Sequence, residues 1–308
     1  MQASPLPIDG LVIIDKPGGW TSHDVVARMR RLTGVRRIGH AGTLDPLATG
    51  VLPLGIGQGT RVLEYVSDAE KEYVATVRLG VATDTYDADG RIVATADWTG
   101  IGEAHIREIL PDFTGQIDQR PPVFSAIKHR GVPLHRLARA GRDVDVPART
   151  VTIFAIDVVA FDLPDVVIRV QCSKGTYIRS LAHDLGQELG CGAHLGALRR
   201  TATGGFALAQ ALTLDRWEQA ITDGDWPAHV LPLDAPLAAR PALILDAQSA
   251  TRLQDGVAPA AHDAGLPPNT LARAYGLDGV LLAILRRRQG ESGWRAEKVF
   301  VERSGVRP

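Results

Sequence analysis

The sequence predicts an α+β protein whose larger domain is built on a largely antiparallel mixed sheet, with a small β-rich module after it. Three observations lead there. Val151 to Val159 and Val166 to Cys172 are strongly β-branched runs, as strands require. Helical patterns occur between strands, but without the strict βαβ alternation of a doubly wound fold. Beyond Pro241, short apolar runs (Ala242 to Leu245, Val280 to Leu285, Val299 to Val301) are separated by Gly, Pro and Asp.

The elements follow in order. Leu11 to Ile14 is a short apolar strand entering the turn Lys16-Pro17-Gly18-Gly19. Thr21 and Asp24 have the spacing of a capping box, Val25, Val26, Met29 and Leu32 repeat at helical spacing, and Gly34 ends the helix. Val51 to Ile56 is a strand, followed by a short helix from about Thr60. Tyr73 to Leu79 alternates like a half-buried strand, and Asp89-Gly90 turns it toward Ile92 and Val93 as a hairpin. Ile106, Ile109, Leu110 and Phe113 mark a helix; Ile178, Leu181, Ala182, Leu185 and Leu189 mark another that stops at Gly190. A composition shift at Pro232 to Pro241 reads as a linker, which divides the chain into domains 1–238 and 239–308.

At 308 residues the chain is long enough for two domains of about 150 residues each, and 45% hydrophobic content supports a real core. No secretory pattern opens the chain, and no apolar run approaches the roughly 20 residues that cross a bilayer. Cys172 and Cys191 form no CxxC and read as reduced, buried thiols, so the expected location is cytoplasmic. The net charge of −1 argues against a nucleic-acid partner, but its distribution argues the other way. Arg28, Arg30, Arg31, Arg36 and Arg37 form one group. Arg120, Lys128, Arg130, Arg136, Arg139 and Arg142 form another, while the acids gather between Asp84 and Asp118. A neutral chain sorted this way can present a basic face.

Gly39-His40-Ala41-Gly42-Thr43-Leu44-Asp45-Pro46-Leu47-Ala48-Thr49-Gly50 is the most informative stretch. It sets one carboxylate in a loop of glycine and small residues, where another molecule can approach the main chain closely. Pro46 biases Asp45 toward an extended backbone. A lone ionisable group on such a loop suits a nucleophile that works without a cofactor; the plainer reading is a turn-capping Asp.

Other motifs fail on their spacing. In Gly55-Ile56-Gly57-Gln58-Gly59-Thr60 the third glycine of a dinucleotide loop is Thr60. Asp84-Thr85-Tyr86-Asp87-Ala88-Asp89-Gly90 puts Thr85 and Ala96 where calcium-ligating carboxylates belong. Lys174-Gly175-Thr176 lacks the spacing glycine of a phosphate loop.

Four ordered stretches form a recognisable pattern: Asp15 to Val26, Gly39 to Gly50, Arg120 to Lys128 and Cys172 to Ala182. Together they resemble bacterial tRNA pseudouridine-55 synthases of the TruB family, from about Asp9 to Leu214, with a looser likeness to that family's PUA-like RNA-binding tail. The resemblance implies the pseudouridine synthase fold and isomerisation of one uridine in the T-arm loop of tRNA. It implies no metal or organic cofactor, no required protein partner, no membrane, and a monomer. Asp45 matches the catalytic aspartate and Arg179 its arginine partner. Tyr73 matches the tyrosine that stacks on the target base and helps remove the C5 proton. Tyr177 and Leu198 match positions lining the uracil pocket. His40 matches the residue that fills the space left by the everted base. Lys16 sits at the family's basic position beside the active-site turn, as an RNA or scaffold contact. His135 stands where the family has a tyrosine, and Gly59 and Arg61 replace the commoner Ala and Lys.

Overall fold

The protein is represented by a computed structural model that describes residues 8–125, 128–129, 132–134, 146–255, 257, 259, 265–289 and 293–300. In chain order, β1 (Gly10–Lys16) leads to α1 (Ser22–Thr33), β2 (Ile38–His40) and β3 (Thr49–Ile56). A 3-10 turn precedes α2 (Leu63–Ser67), β4 (Lys71–Leu79), β5 (Val81–Thr83), β6 (Ile92–Thr95), α3 (Glu103–Ile109) and β7 (Gly115–Gln119). Two-residue strands β8 (Lys128–His129) and β9 (Val132–Pro133) pair with each other. Then come β10 (Arg149–Asp162), β11 (Asp165–Cys172), α4 (Ile178–Glu188), β12 (Ala193–Thr203), β13 (Phe206–Ala207), β14 (Leu212–Thr213) and α5 (Leu214–Asp223). The last elements are β15 (Ala242–Ile244), α6 (Ala247–Gln254), β16 (Leu271–Tyr275), β17 (Leu281–Arg287) and β18 (Trp294–Val299).

A ten-stranded sheet runs β14-β1-β3-β12-β4-β11-β10-β7, with β2 added on β3 and β13 on β12. Only β1–β14 and β3–β12 are parallel, so the expected largely antiparallel mixed sheet is present. A separate sheet, β15-β16-β17-β18, forms the C-terminal region.

Both faces of the large sheet are covered, which explains why β1 reads as an unbroken apolar run. Val12 and Ile14 pack with Val25 and Met29 of α1, Leu181 and Leu185 of α4, and Trp217 of α5. Leu11 and Ile13 point to the opposite core, where Leu63 and Val66 of α2 meet Ile284 of β17 and Phe300 after β18. The small sheet therefore packs directly on α2.

Local signals explain the ends of α1. Thr21 accepts from the Asp24 amide and the Asp24 side chain accepts from the Thr21 amide, a complete capping box, while Gly34 takes the left-handed conformation at φ +71°. Gly50 is required for a different reason. Its φ is +99°, and a Cβ there would lie 2.2 Å from the Arg200 carbonyl oxygen of β12. This close approach is what lets β3 and β12 pair beside the Asp45 loop.

Three sequence expectations need correction. Asp89-Gly90 lies in the connection between β5 and β6, not in a hairpin made by β4. Gly80, at φ +82°, ends β4, whose partners are β11 and β12. β12, central to the sheet, was not anticipated, nor were β7, β16, α5 and α6. The last strand is Trp294–Val299, ahead of the Val299 to Val301 run, and Val301 lies outside the described residues.

Candidate active site

The Asp45 loop joins β2 to β3 and is pinned by buried polar groups on both sides of the carboxylate. Ser22, at the start of α1, accepts from the Leu44 amide at 2.9 Å and donates to the Leu44 carbonyl at 3.2 Å. Gly19 N–H donates to the Pro46 carbonyl at 2.8 Å. The fully buried Lys16 ammonium donates to the carbonyls of Pro17 (2.8 Å), Trp20 (2.6 Å) and Pro46 (3.3 Å). Buried Arg200 donates from Nε to the Val51 carbonyl at 2.7 Å and from Nη2 to the Gly42 carbonyl at 3.1 Å. Two buried cations thus satisfy carbonyls on either side of Asp45 that would otherwise be stranded from water.

Arg179, in the first turn of α4, meets the carboxylate. Its Nε lies 2.9 Å from Asp45 Oδ2 in an ion pair whose angle is poor for a hydrogen bond. Nη1 lies 3.4 Å from Asp87 Oδ2 and donates to the Thr85 carbonyl at 3.3 Å, while Nη2 donates to the Phe124 carbonyl at 3.0 Å. One buried guanidinium is shared between two carboxylates and two main-chain oxygens. Burial pushes the Asp45 carboxyl above its ordinary value and the Asp87 charge adds to the rise, whereas Arg179 opposes both.

Asp45 opens onto a cavity of about 290 Å³ whose lining includes Tyr73, Tyr177, Arg179, Leu198 and Arg200. Tyr73 and Leu198 come from neighbouring strands β4 and β12, on the face they share. Tyr177 caps the start of α4; its amide donates to Gln119 Oε1 at 2.7 Å, and Gln119 Nε2 returns a bond to its carbonyl at 3.0 Å. Burial raises the Tyr73 phenol, an effect the Arg200 charge opposes. Burial likewise raises the Tyr177 phenol, against a hydrogen bond with Ser125.

The structure therefore gathers Asp45, Tyr73, Tyr177, Arg179 and Leu198 around one cavity. Lys16 does not join them. With no exposed surface and three carbonyl partners, it has the geometry of a scaffold contact, one of the two roles its sequence position suggested. Burial also lowers its pKa to about 8, partly countered by Asp45. His40 lies off the cavity lining, at the end of β2, its ring edge-to-face with His23 at 5.3 Å. Its Nδ1 has no hydrogen-bond partner among the described residues. His135, Arg130, Arg136, Arg139 and Arg142 lie outside the described residues, as does the Lys128 side chain. In the first arginine group, Arg28 pairs with Glu218 at 2.5 Å and Arg30 donates to the Ile38 carbonyl.

Sequence reasoning missed two residues of the site. Asp87 reads in the sequence only as one of the acids gathered between Asp84 and Asp118, yet it is buried against Arg179. The signal available was Asp89-Gly90, a turn that can fold such a run back on itself. Arg200 carried no signal at all, because its strand was not recognised.

A family profile described as TruB family pseudouridylate synthase (N terminal domain) matches residues 30–178. A second, the tRNA pseudouridylate synthase B C-terminal domain, matches residues 179–238. The tRNA pseudouridine synthase B of Geobacter sulfurreducens is 45% identical over 285 residues, covering 90% of this chain and 93% of that protein. The chain belongs to the TruB family of pseudouridylate synthases. The Burkholderia pseudomallei tRNA pseudouridine synthase B is also 45% identical, over 92% of this TruB-family chain and 94% of its own length. Among solved structures, a Cbf5-Nop10-Gar1 complex superposes with a TM-score of 0.74 at 29% identity, over 96% of this chain and 85% of the other. An H/ACA RNP bound to a substrate RNA containing 2'-deoxyuridine gives a TM-score of 0.73 at 26% identity, over 98% and 93% of the two chains. The fold is the pseudouridine synthase fold, and this TruB-family enzyme is an isomerase that converts uridine in tRNA to pseudouridine.

No helix among the described residues is long and apolar enough to cross a membrane, and no group of His, Cys, Asp and Glu there could hold a metal ion. Cys172 and Cys191 are free and buried.

Proposed function

We propose that the enzyme isomerises uridine 55 in the T-arm loop of tRNA, with Asp45 as the nucleophile. The observation that carries this reading is the ion pair between Arg179 and Asp45 at the wall of a cavity shared with Tyr73, Tyr177 and Leu198. A uracil stacked inside the T loop cannot reach that wall, so the nucleotide is everted into the cavity. Tyr73 stacks on the base while Tyr177 and Leu198 hold its other surfaces. Asp45, aimed by Arg179, initiates cleavage of N1–C1′. The uracil turns and rejoins the ribose through C5, Tyr73 takes the C5 proton, and N1 gains one. His40, whose ring nitrogen is unsecured, moves into the space the base has left.

No metal or organic cofactor enters this scheme: the carboxylate and the guanidinium supply its charges, the Tyr73 phenolate takes the C5 proton, and water supplies the proton that N1 gains. We further propose that the chain acts on cytoplasmic tRNA as a monomer, without a protein partner. Residues 1–238 form the catalytic domain and 239–308 a PUA-like RNA-binding domain, a division supported by the start of the small sheet at Ala242. The arginine groups would track the phosphates of the T arm. Incubation of unmodified tRNA with the purified protein alone, followed by pseudouridine mapping at nucleotide resolution, tests the reading. One modified site at position 55 is expected; modification elsewhere, or none until a partner is added, contradicts it.

A further inference from the structure

Arg200 and Lys16 are the two charged side chains among the largest fully buried ones in the described structure. Lys16 has its three carbonyl acceptors, but a guanidinium carries five N–H donors. Arg200 places one on Val51 and one on Gly42, main-chain oxygens that flank the Asp45 loop. The rest of the group lies against the cavity. There the β12–β4 register sets Arg200 directly opposite Tyr73, so both side chains leave the same face of the sheet and line the same cavity, where the guanidinium charge favours the ionised phenol. Gly42 makes room for it: a Cβ at that position would lie 3.3 Å from Arg200 Nη1.

We infer that Arg200 is the positioning residue of Tyr73, donating to the phenol oxygen so that it is held across the cavity and stabilised as the phenolate that accepts the C5 proton. The inference rests on the reading that Tyr73 removes that proton. Once C5 is bonded to C1′ it still carries its hydrogen. The C5–H bond breaks, the proton passes to the phenolate oxygen, and the bonding pair restores the C5–C6 double bond. N1, free of the ribose, takes a proton from water, and the phenol later returns its own to solvent. Lysine at position 200 would keep the charge, but a single ammonium cannot span two carbonyls and a phenol.

Single-turnover conversion of tRNA tritiated at uracil C5 provides the test, using Arg200→Lys, Tyr73→Phe and the double variant, with tRNA affinity measured alongside. Arg200→Lys alone is expected to slow conversion about 100-fold with affinity within about 3-fold, and to move the rising limb of the pH–rate profile to higher pH. Added to Tyr73→Phe, it should cost less than about 3-fold, because the group it acts through is gone. Equal losses in both backgrounds, or a loss of affinity instead of rate, would make Arg200 a wall support and overturn the inference. Full activity of Tyr73→Phe on its own would overturn the reading of Tyr73, and the inference with it. If Arg200→Lys does not fold, Arg200→Gln takes its place, keeping a donor there without the charge. The same coupling to Tyr73→Phe is then expected, and equal losses contradict it.

Discussion

Arg179 and Asp45 meet at 2.9 Å with very unequal exposure: the guanidinium keeps 5% of its side-chain surface and the carboxylate 41%. The cation is fixed by Thr85, Phe124 and Asp87, so its position does not depend on Asp45. The acid is therefore oriented by a charge already in place, while its open side faces the cavity. Such pre-organisation lets a small carboxylate act when an incoming base excludes water.

Asp87 completes that arrangement. Asp87→Asn keeps an oxygen for Thr85 Oγ1 and the Asp89 amide but removes the charge beside Arg179. Single-turnover rates should fall roughly 10- to 100-fold with tRNA affinity within about 3-fold, since the interaction lies behind the reacting groups. An affinity loss as large as the rate loss would contradict this.

Lys16→Met should destabilise the fold by about 2–4 kcal/mol, because the carbonyls of Pro17, Trp20 and Pro46 lose a buried charged donor. Thermal melting measures the loss. Activity should fall as well, since Pro46 follows the nucleophile; a variant with wild-type melting temperature would show that the lysine is no scaffold.

Burial raises the half-buried Asp184 carboxyl on α4 from 3.8 to about 6. The folded state therefore binds its proton more tightly than the unfolded state. The resulting stabilisation is complete below pH 3.8 and is lost as pH rises through about 6. Asp184→Asn should raise stability at pH 7.5 by about 1 kcal/mol, after allowing for solvent screening, and leave it unchanged near pH 3.5. Melting curves at the two pH values decide; an equal effect at both would point to packing.

Much of the fold was legible where one physical rule governed a segment. The capping box and Gly34 fixed α1, and the strict alternation of Tyr73, Ala75, Val77 and Leu79 gave β4 with its buried face correctly assigned. β12 was illegible because two rules conflict there. Its pairing with β4 shifts register between Leu195 and Ala197 and again between Arg200 and Ala202, which breaks the period of two. Arg200 then turns a charged side chain inward, where a pattern reading expects an apolar one. Asp87 was hidden by its neighbours: Tyr86 takes φ +65° and stacks on His183 with ring centroids 3.9 Å apart, docking the acidic loop on α4. Tertiary contacts of this sort leave no local periodicity. By contrast, Asp45, Arg179, Tyr73, Tyr177 and Leu198 converge although they lie on three separate elements and two connecting segments, because their motifs reflect shared geometry and not local structure.

Tritium release from tRNA labelled at uracil C5, measured for Asp45→Asn beside the wild-type protein, tests the central claim most directly. The amide keeps the shape of the side chain and removes its charge and nucleophilicity, so release should be abolished while tRNA affinity stays within a few-fold. Release at the wild-type rate from the Asp45→Asn protein would show that this carboxylate does not initiate the exchange.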